Sequence, residues 1–382
     1  MPVSRLSLLS LAMLSLAGSM LDHAALSEAA TNGPIHMPIH AASNPSLGNQ
    51  NTNIYPDIPK KERVGPVAWR TNDKPGMRTG YTTDLTTGNP AFVKCFLDKN
   101  VYAKEWNIHK KLEDPFPLSA DAACKRLPLW APHLFVKAIR YFPTPNKFRC
   151  IVFWTQPGIK DLYDFITESS ITYRQHTAYN VLWQLLIGTA YLHCKGISHG
   201  DIKSENILIT IDKQQFKTPL LKIIDFDLSR DMQQSSDRSL VCNTPGFCAP
   251  ETVLFSRKEG DILKPDSWSI AMVLHDYLTG NLPIIYRARN GAVDSNENIM
   301  YVRNVQQAYA FNKDLCGNPM DPELRQASAN AATHDVVVFI CLLAQTRPEN
   351  RMTPMDFLQS IFIPNTEEWL APLAMNQGIA SG

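Results

Sequence analysis

The stretch His199-Gly-Asp-Ile-Lys-Ser-Glu-Asn206, followed by Ile223-Ile-Asp-Phe-Asp-Leu-Ser229, decides the fold of this chain. It sets Asp201, Lys203, Asn206 and Asp225 at the spacing used for phosphoryl transfer. Catalysis of that reaction rests on positioned charge rather than on covalent chemistry by the protein. An isolated His-x-Asp would say little, but here the flanks agree with it. Ile207-Leu-Ile209 and Leu221-Lys-Ile-Ile224 are short apolar runs around a polar turn, hence a hairpin that ends at Asp225. Upstream, residues 173–192 hold no proline and are apolar at Val181, Leu182, Leu185, Leu186, Ala190 and Leu192. They read as a buried helix that delivers the loop.

Working outward, Ala91-Phe-Val-Lys94 ends an apolar run, and Glu105 lies in Ala103-Lys-Glu-Trp-Asn-Ile-His-Lys-Lys-Leu112, where Trp106, Ile108 and Leu112 suit one helix face. Downstream come Cys248-Ala-Pro-Glu251, Asp266-Ser-Trp-Ser-Ile-Ala-Met-Val-Leu274 and Arg347-Pro-Glu-Asn-Arg-Met-Thr353. In this order the motifs resemble those of eukaryotic protein kinases, over about residues 62–372. The resemblance implies an α+β, two-lobed fold, with a β-rich N-lobe and a helical C-lobe. It implies that Asp201 accepts the proton of a substrate hydroxyl, that Lys203 neutralises the transferred phosphoryl group, and that Asn206 and Asp225 hold magnesium. Lys94, aimed by Glu105, would bind the phosphates of ATP, with Phe92 and Leu208 lining the nucleotide site. Thr244 stands where the family's threonine ties the substrate platform to the catalytic aspartate and lysine. Asp266 would brace the loop backbone, and Arg351 would pair with Glu251. Lysine at the second position after Asp201 favours Ser/Thr over Tyr substrates.

Charges nearly balance at +1, and no basic run suggests nucleic acid or a lipid surface. The apolar stretch at residues 6–16, after Arg5 and before Ala17-Gly-Ser19, is too short to span a bilayer and reads as a secretory signal peptide. The expected organisation is a signal peptide at 1–19, a flexible leader at 20–61, and a kinase-like domain at 62–372 that divides near 156, with a tail at 373–382. His36 and His40, in Pro-Ile-His-Met-Pro-Ile-His, belong to the leader. None of the eight cysteines forms a C-x-x-C pair, which argues against zinc; their pairing stays open, and Cys95 and Cys150 read as free thiols inside core strands. Nothing in the sequence speaks to oligomeric state.

Four departures from the kinase pattern matter. No Gly-x-Gly-x-x-Gly occurs between Glu62 and Lys94, so the backbone amides that close over the phosphates are missing. Phe92 stands where the family has alanine against the adenine. Gly200 replaces the arginine that grips a phosphate on the activation segment, the stretch that follows Asp225-Phe-Asp227 and that Cys248-Ala-Pro-Glu251 closes. Asp227 replaces the glycine of Asp-Phe-Gly and adds a carboxylate, a further candidate magnesium ligand. With the signal peptide, this set resembles the secreted "with-no-Gly-loop" kinases of coccidian parasites, relatives of the rhoptry kinases that include a bradyzoite cyst-wall pseudokinase. That resemblance implies release into the parasitophorous vacuole from dense granules or rhoptries, and action on Ser/Thr of vacuolar or host-interface proteins. Phe92, Asp227 and the lost glycines keep a second expectation open, a kinase-shaped scaffold without catalysis. A secreted kinase-like protein of another lineage is a third.

Overall fold

A computed structural model of the chain describes residues 54–360, apart from 71–72, 117–120, 157, 212–218, 235, 257, 284–294, 311–312 and 318–319. The expected signal peptide, the leader as far as residue 53, His36, His40, and the tail lie outside the described residues. The first half is built on one antiparallel sheet. Its strands are β1 (Ala68–Trp69), β2 (Met77–Thr83), β3 (Pro90–Phe96), β4 (Ala138–Pro143) and β5 (Arg149–Trp154), in the order β1-β2-β3-β5-β4. Between β3 and β4 runs helix α1 (Lys99–Glu113). The helix starts ahead of Ala103 because the Asp98 carboxylate caps it, accepting from the Asn100 amide at 2.7 Å.

Alternation along β3 builds both faces of this lobe. Ala91, Val93 and Cys95 are fully buried against Phe142, Phe148, Cys150 and Val152. Phe92, Lys94 and Phe96 take the other face, where Phe96, Ile151 and Phe153 pack with Val101, Tyr102 and Trp106 of α1. Residues 54–61, assigned above to the leader, belong to this lobe. Ile58 packs on the sheet core, the Tyr55 ring lies 5.9 Å from Trp69, and Asn146 donates to the Tyr55 carbonyl at 2.7 Å. Tyr55, Pro56 and Ile58 bring the apolar surface that the preceding polar stretch lacks.

The reading of Cys95 and Cys150 as free thiols is corrected. They stand opposite each other in the β3–β5 register, with Cα atoms 4.0 Å apart, and form a disulfide. Three further bridges, Cys124–Cys194, Cys242–Cys248 and Cys316–Cys341, leave no free cysteine.

The second half is mainly helical: β6 (Lys160–Asp161), α2 (Leu162–Glu168), α3 (Ile171–Cys194), β7 (Ile197–Ser198), β8 (Ile207–Ile211), β9 (Pro219–Ile223), β10 (Arg230–Asp231), α4 (Pro250–Leu254), α5 (Lys264–Thr279), α6 (Ser295–Ala310), α7 (Pro322–Ser328), α8 (His334–Leu343) and α9 (Pro354–Ser360). Helices α3 and α5 form its centre. Residues 181–193 of α3 and 266–278 of α5 are buried on every side, polar members such as Gln184, Asp266 and Asp276 included. The β8–β9 hairpin pairs Ile207 with Ile223 and Ile209 with Leu221, so its open end presents Asn206 and Asp225 together. No helix among the described residues is long and apolar enough to cross a membrane.

Candidate active site

The loop between β7 and β8 carries Asp201, Lys203 and Asn206, and α5 holds its backbone. Asp266, 1% exposed, accepts from the amides of His199 and Gly200, each at 2.9 Å, and contacts His193 Nε2 at 3.0 Å. Burial opposes ionisation of Asp266, yet the hydrogen bond and charge of His193 outweigh it and hold the carboxyl below its ordinary value. Gly200 adopts φ +76°, and a Cβ there would meet the Leu228 carbonyl at 3.1 Å. The loss of arginine at this position is thus a backbone requirement as well as a lost cation, because an L side chain is strained at that φ. A pocket of about 30 Å³ lies against Gly200 and Asp201, bordered by Arg230, Asn243 and Thr244.

Asp201 is held from three sides. Thr244 donates its hydroxyl to Oδ1 at 2.6 Å, Lys203 Nζ lies 3.0 Å from Oδ2, and Asn206 Nδ2 donates to the Asp201 carbonyl at 2.8 Å. Lys203 also donates to the Thr244 hydroxyl at 3.1 Å, so the three side chains close a triangle. The Cys242–Cys248 bridge spans the segment that presents Thr244. All three expected catalytic residues are therefore in mutual contact.

Across the cleft, Lys94 Nζ is 2.7 Å from Glu105 and 2.6 Å from Asp225. One ammonium serves two carboxylates. Burial disfavours the charge on Lys94, but Glu105 and Asp225 together raise it above its ordinary value. Burial likewise opposes Asp225, and Lys94 outweighs it, holding that carboxyl well below the usual range. Burial pushes the Glu105 carboxyl up to about 7; Lys94 pulls against this and the neighbouring charge of Asp225 adds to it. Asp225 sits at φ +68°, a conformation that costs a non-glycine residue about 1–2 kcal/mol and marks a functional constraint. Phe226 is fully buried, its ring centroid 5.2 Å from His109 of α1 and 5.3 Å from His199. This column ties α1 to the catalytic loop. His109 also meets Phe153 at 4.8 Å, and burial drives its imidazole down to about 3.

Phe92 is half-buried, edge-to-face with Tyr81 at 5.3 Å, on the Lys94 face of β3. Leu208, also half-buried, points away from the buried Ile207 and Ile209. The Asp227 carboxylate bonds Lys74 at 2.6 Å through Oδ2, while Lys104 donates to its carbonyl at 2.7 Å. Its Oδ1 is buried with no hydrogen-bond partner. A bare carboxylate oxygen costs about 1–3 kcal/mol or more, which leaves this atom with unused capacity to accept. Two carboxylates and an amide, Asp225, Asp227 and Asn206, suit a hard, oxygen-seeking ion such as magnesium. Lys74, Lys104 and His109 escaped the sequence reading: Lys74 lies in no quoted motif, and Lys104 and His109 sit in the Glu105 stretch at positions given no role there.

The protein kinase domain family model matches residues 129–363. The match begins beyond β3 and α1, where the glycine pattern is missing. Among curated proteins, the ovarian-specific serine/threonine-protein kinase Lok of Drosophila melanogaster is 37% identical over 101 residues, 26% of this chain and 21% of that protein. Calcium/calmodulin-dependent protein kinase type IV of Mus musculus is 29% identical over 228 residues, 59% of this chain and 42% of that protein. Death-associated protein kinase 2 of Homo sapiens is 34% identical over 125 residues, 33% of this chain and 32% of that protein. The chain thus spans well under half the length of these relatives.

Proposed function

This chain belongs to the protein kinase family, and on that premise we propose that it is a secreted serine/threonine kinase that transfers the γ-phosphate of ATP to protein hydroxyls. The observation that carries this reading is Lys94, bonded at once to Glu105 and Asp225, because it joins β3, α1 and the open end of the β8–β9 hairpin in one charge array. Asp201 accepts the hydroxyl proton; Thr244 and Lys203 fix its carboxylate, and Lys203 then faces the charge that develops on transfer. Lys94 binds the phosphates, and Phe92 and Leu208 border the base. Asn206 and Asp225, with Asp227 as a further candidate, would hold magnesium, which would supply charge neutralisation at the phosphates.

Secretion is supported by the disulfides. Four bridges and no free thiol suit an oxidising compartment, whereas cytosolic thiols are kept reduced. The missing glycine loop and the Asp-Phe-Asp sequence support the coccidian with-no-Gly-loop lineage. That lineage carries with it a parasitophorous-vacuole destination, by way of dense granules or rhoptries, and vacuolar or host-interface substrates. Asp201→Asn and Asp225→Asn test the activity. Asp201→Asn should lower phosphotransfer by roughly two to four orders of magnitude, and Asp225→Asn should lower it to background by removing a metal ligand, while both leave the protein folded. Wild type no faster than either variant would refute the enzyme.

One observation favours a scaffold instead. Phe92 puts a phenyl ring on the Lys94 face of β3, where the family has alanine, and such a ring either crowds the adenine or supplies part of the missing roof. A thermal-shift titration with ATP and magnesium separates the two readings, since a ligand stabilises by RT ln(1 + [L]/Kd) and a closed pocket gives no shift.

A further inference from the structure

We propose that Lys74 is a phosphate ligand for the nucleotide, standing in for the backbone amides of the absent glycine-rich loop. The inference rests on the kinase reading above and names a residue that reading does not use. Lys74 lies in the connection between β1 and β2, the turn that in protein kinases overlies the phosphates. Here the described part of that turn, residues 73–76, is pinned rather than glycine-rich. Asp73 accepts from the Thr79 amide at 2.9 Å and from its hydroxyl at 2.6 Å. The Met77 amide donates to the Lys74 carbonyl at 3.0 Å, and the Leu97 amide donates to the Gly76 carbonyl at 2.8 Å, anchoring the turn to the end of β3. A side chain on so constrained a turn is pre-aimed, which lowers the ordering cost of using it.

That side chain crosses to the other wall of the site. Its ammonium is 2.6 Å from Asp227 Oδ2, and its charge and those of Asp225 and Lys94 are felt by one another. The other nearby cations are engaged. Lys94 is buried between two carboxylates, Lys203 is held by Asp201 and Thr244, and Lys104 is spent on the Asp227 carbonyl. Lys74 differs from Lys94 in exposure: its side chain is 58% accessible, and ion pairs of such groups are weak and readily exchanged. A polyphosphate, with more negative charge than one carboxylate, draws the ammonium away from Asp227. Asp227 is then released, with its Oδ1 already buried and unpartnered. One exchange of ion pairs thus sets the ammonium on the phosphates and frees a carboxylate for the metal. Without nucleotide, the same pair holds the turn over the cleft.

The test uses the oxidised full chain and reads binding rather than turnover. Wild type, Lys74→Met and Lys74→Arg are titrated with ATP plus magnesium, and separately with adenosine, by calorimetry. Lys74→Met should weaken ATP about tenfold, equivalent to 1.4 kcal/mol, Lys74→Arg should recover most of that loss, and adenosine should bind all three alike. Equal ATP affinity in wild type and Lys74→Met overturns this inference alone. A matching loss of adenosine overturns it too, because Lys74 would then act on the shape of the site. A wild type that binds neither ligand overturns the kinase reading along with it.

Discussion

Replacing Arg351 by methionine isolates the charge at the base of the activation segment. Arg351 has a side chain that is 0% exposed and grips Glu251, 4% exposed, through two bonds of 2.5 and 2.9 Å. The guanidinium also donates to the Gln345 carbonyl at 3.0 Å. Removing one partner of such a buried pair typically costs about 3–5 kcal/mol, because the other charge is stranded. Neutralisation of the stranded carboxylate keeps this penalty within that range. The unpartnered carbonyl adds about 1 kcal/mol or more, so a loss of roughly 4–5 kcal/mol is expected for Arg351→Met. For a large domain this lowers the midpoint by about 8–20 °C. Glu251→Leu combined with Arg351→Met removes both charges and should regain most of the loss, since apolar replacement of a buried pair is often close to neutral. Urea denaturation of both single variants and the double, without reductant, gives the coupling energy directly. A cost below about 1 kcal/mol for Arg351→Met, or a double variant no more stable than Arg351→Met, would refute the argument from a stranded charge.

The other predictions concern regulation, metal and pH. Ser239 donates to Asp237, and Arg230 is committed to the Ser239 carbonyl, so Ser236→Ala and Ser239→Ala together should leave the phosphotransfer rate within a few-fold; a fall to background would reveal a phosphate-reading cation. Asp227→Gly should flatten the magnesium dependence of the ATP KM, and parallel curves for the two proteins would remove Asp227 from the metal site. His109, depressed to about 3 by burial, stays neutral in the fold, whereas an unfolded histidine takes a proton near 6.5. Its contribution to stability is therefore complete above pH 6.5 and declines as the pH falls, by about 1.4 kcal/mol per unit. His109→Phe should lose about 2 kcal/mol less than wild type between pH 6.5 and 5. Glu105, raised to about 7, contributes the opposite slope in this window, but it is present in both proteins and cancels in the comparison.

What the sequence determined by itself was the local machinery. Asp201, Lys203 and Asn206 share one short loop, and Asp225 closes a hairpin whose apolar runs are readable at a period of two, so spacing alone brings these groups together. The long apolar helix before them and the buried α5 around Asp266 were legible for the same reason, because periodicity constrains neighbours along one element. Tertiary structure decided contacts between elements. Cys95 and Cys150 look like two small core residues until the register of β3 against β5 sets them face to face, 55 positions apart. Tyr55 and Ile58 read as leader until the sheet offers them a surface. Lys74 and Asp227 are 153 positions apart, and no motif links them. Their meeting depends on how far the β1–β2 turn reaches over the start of the activation segment. The bond lengths and periods of the chain fix geometry only over a few residues; beyond that, packing of whole elements decides which charges meet.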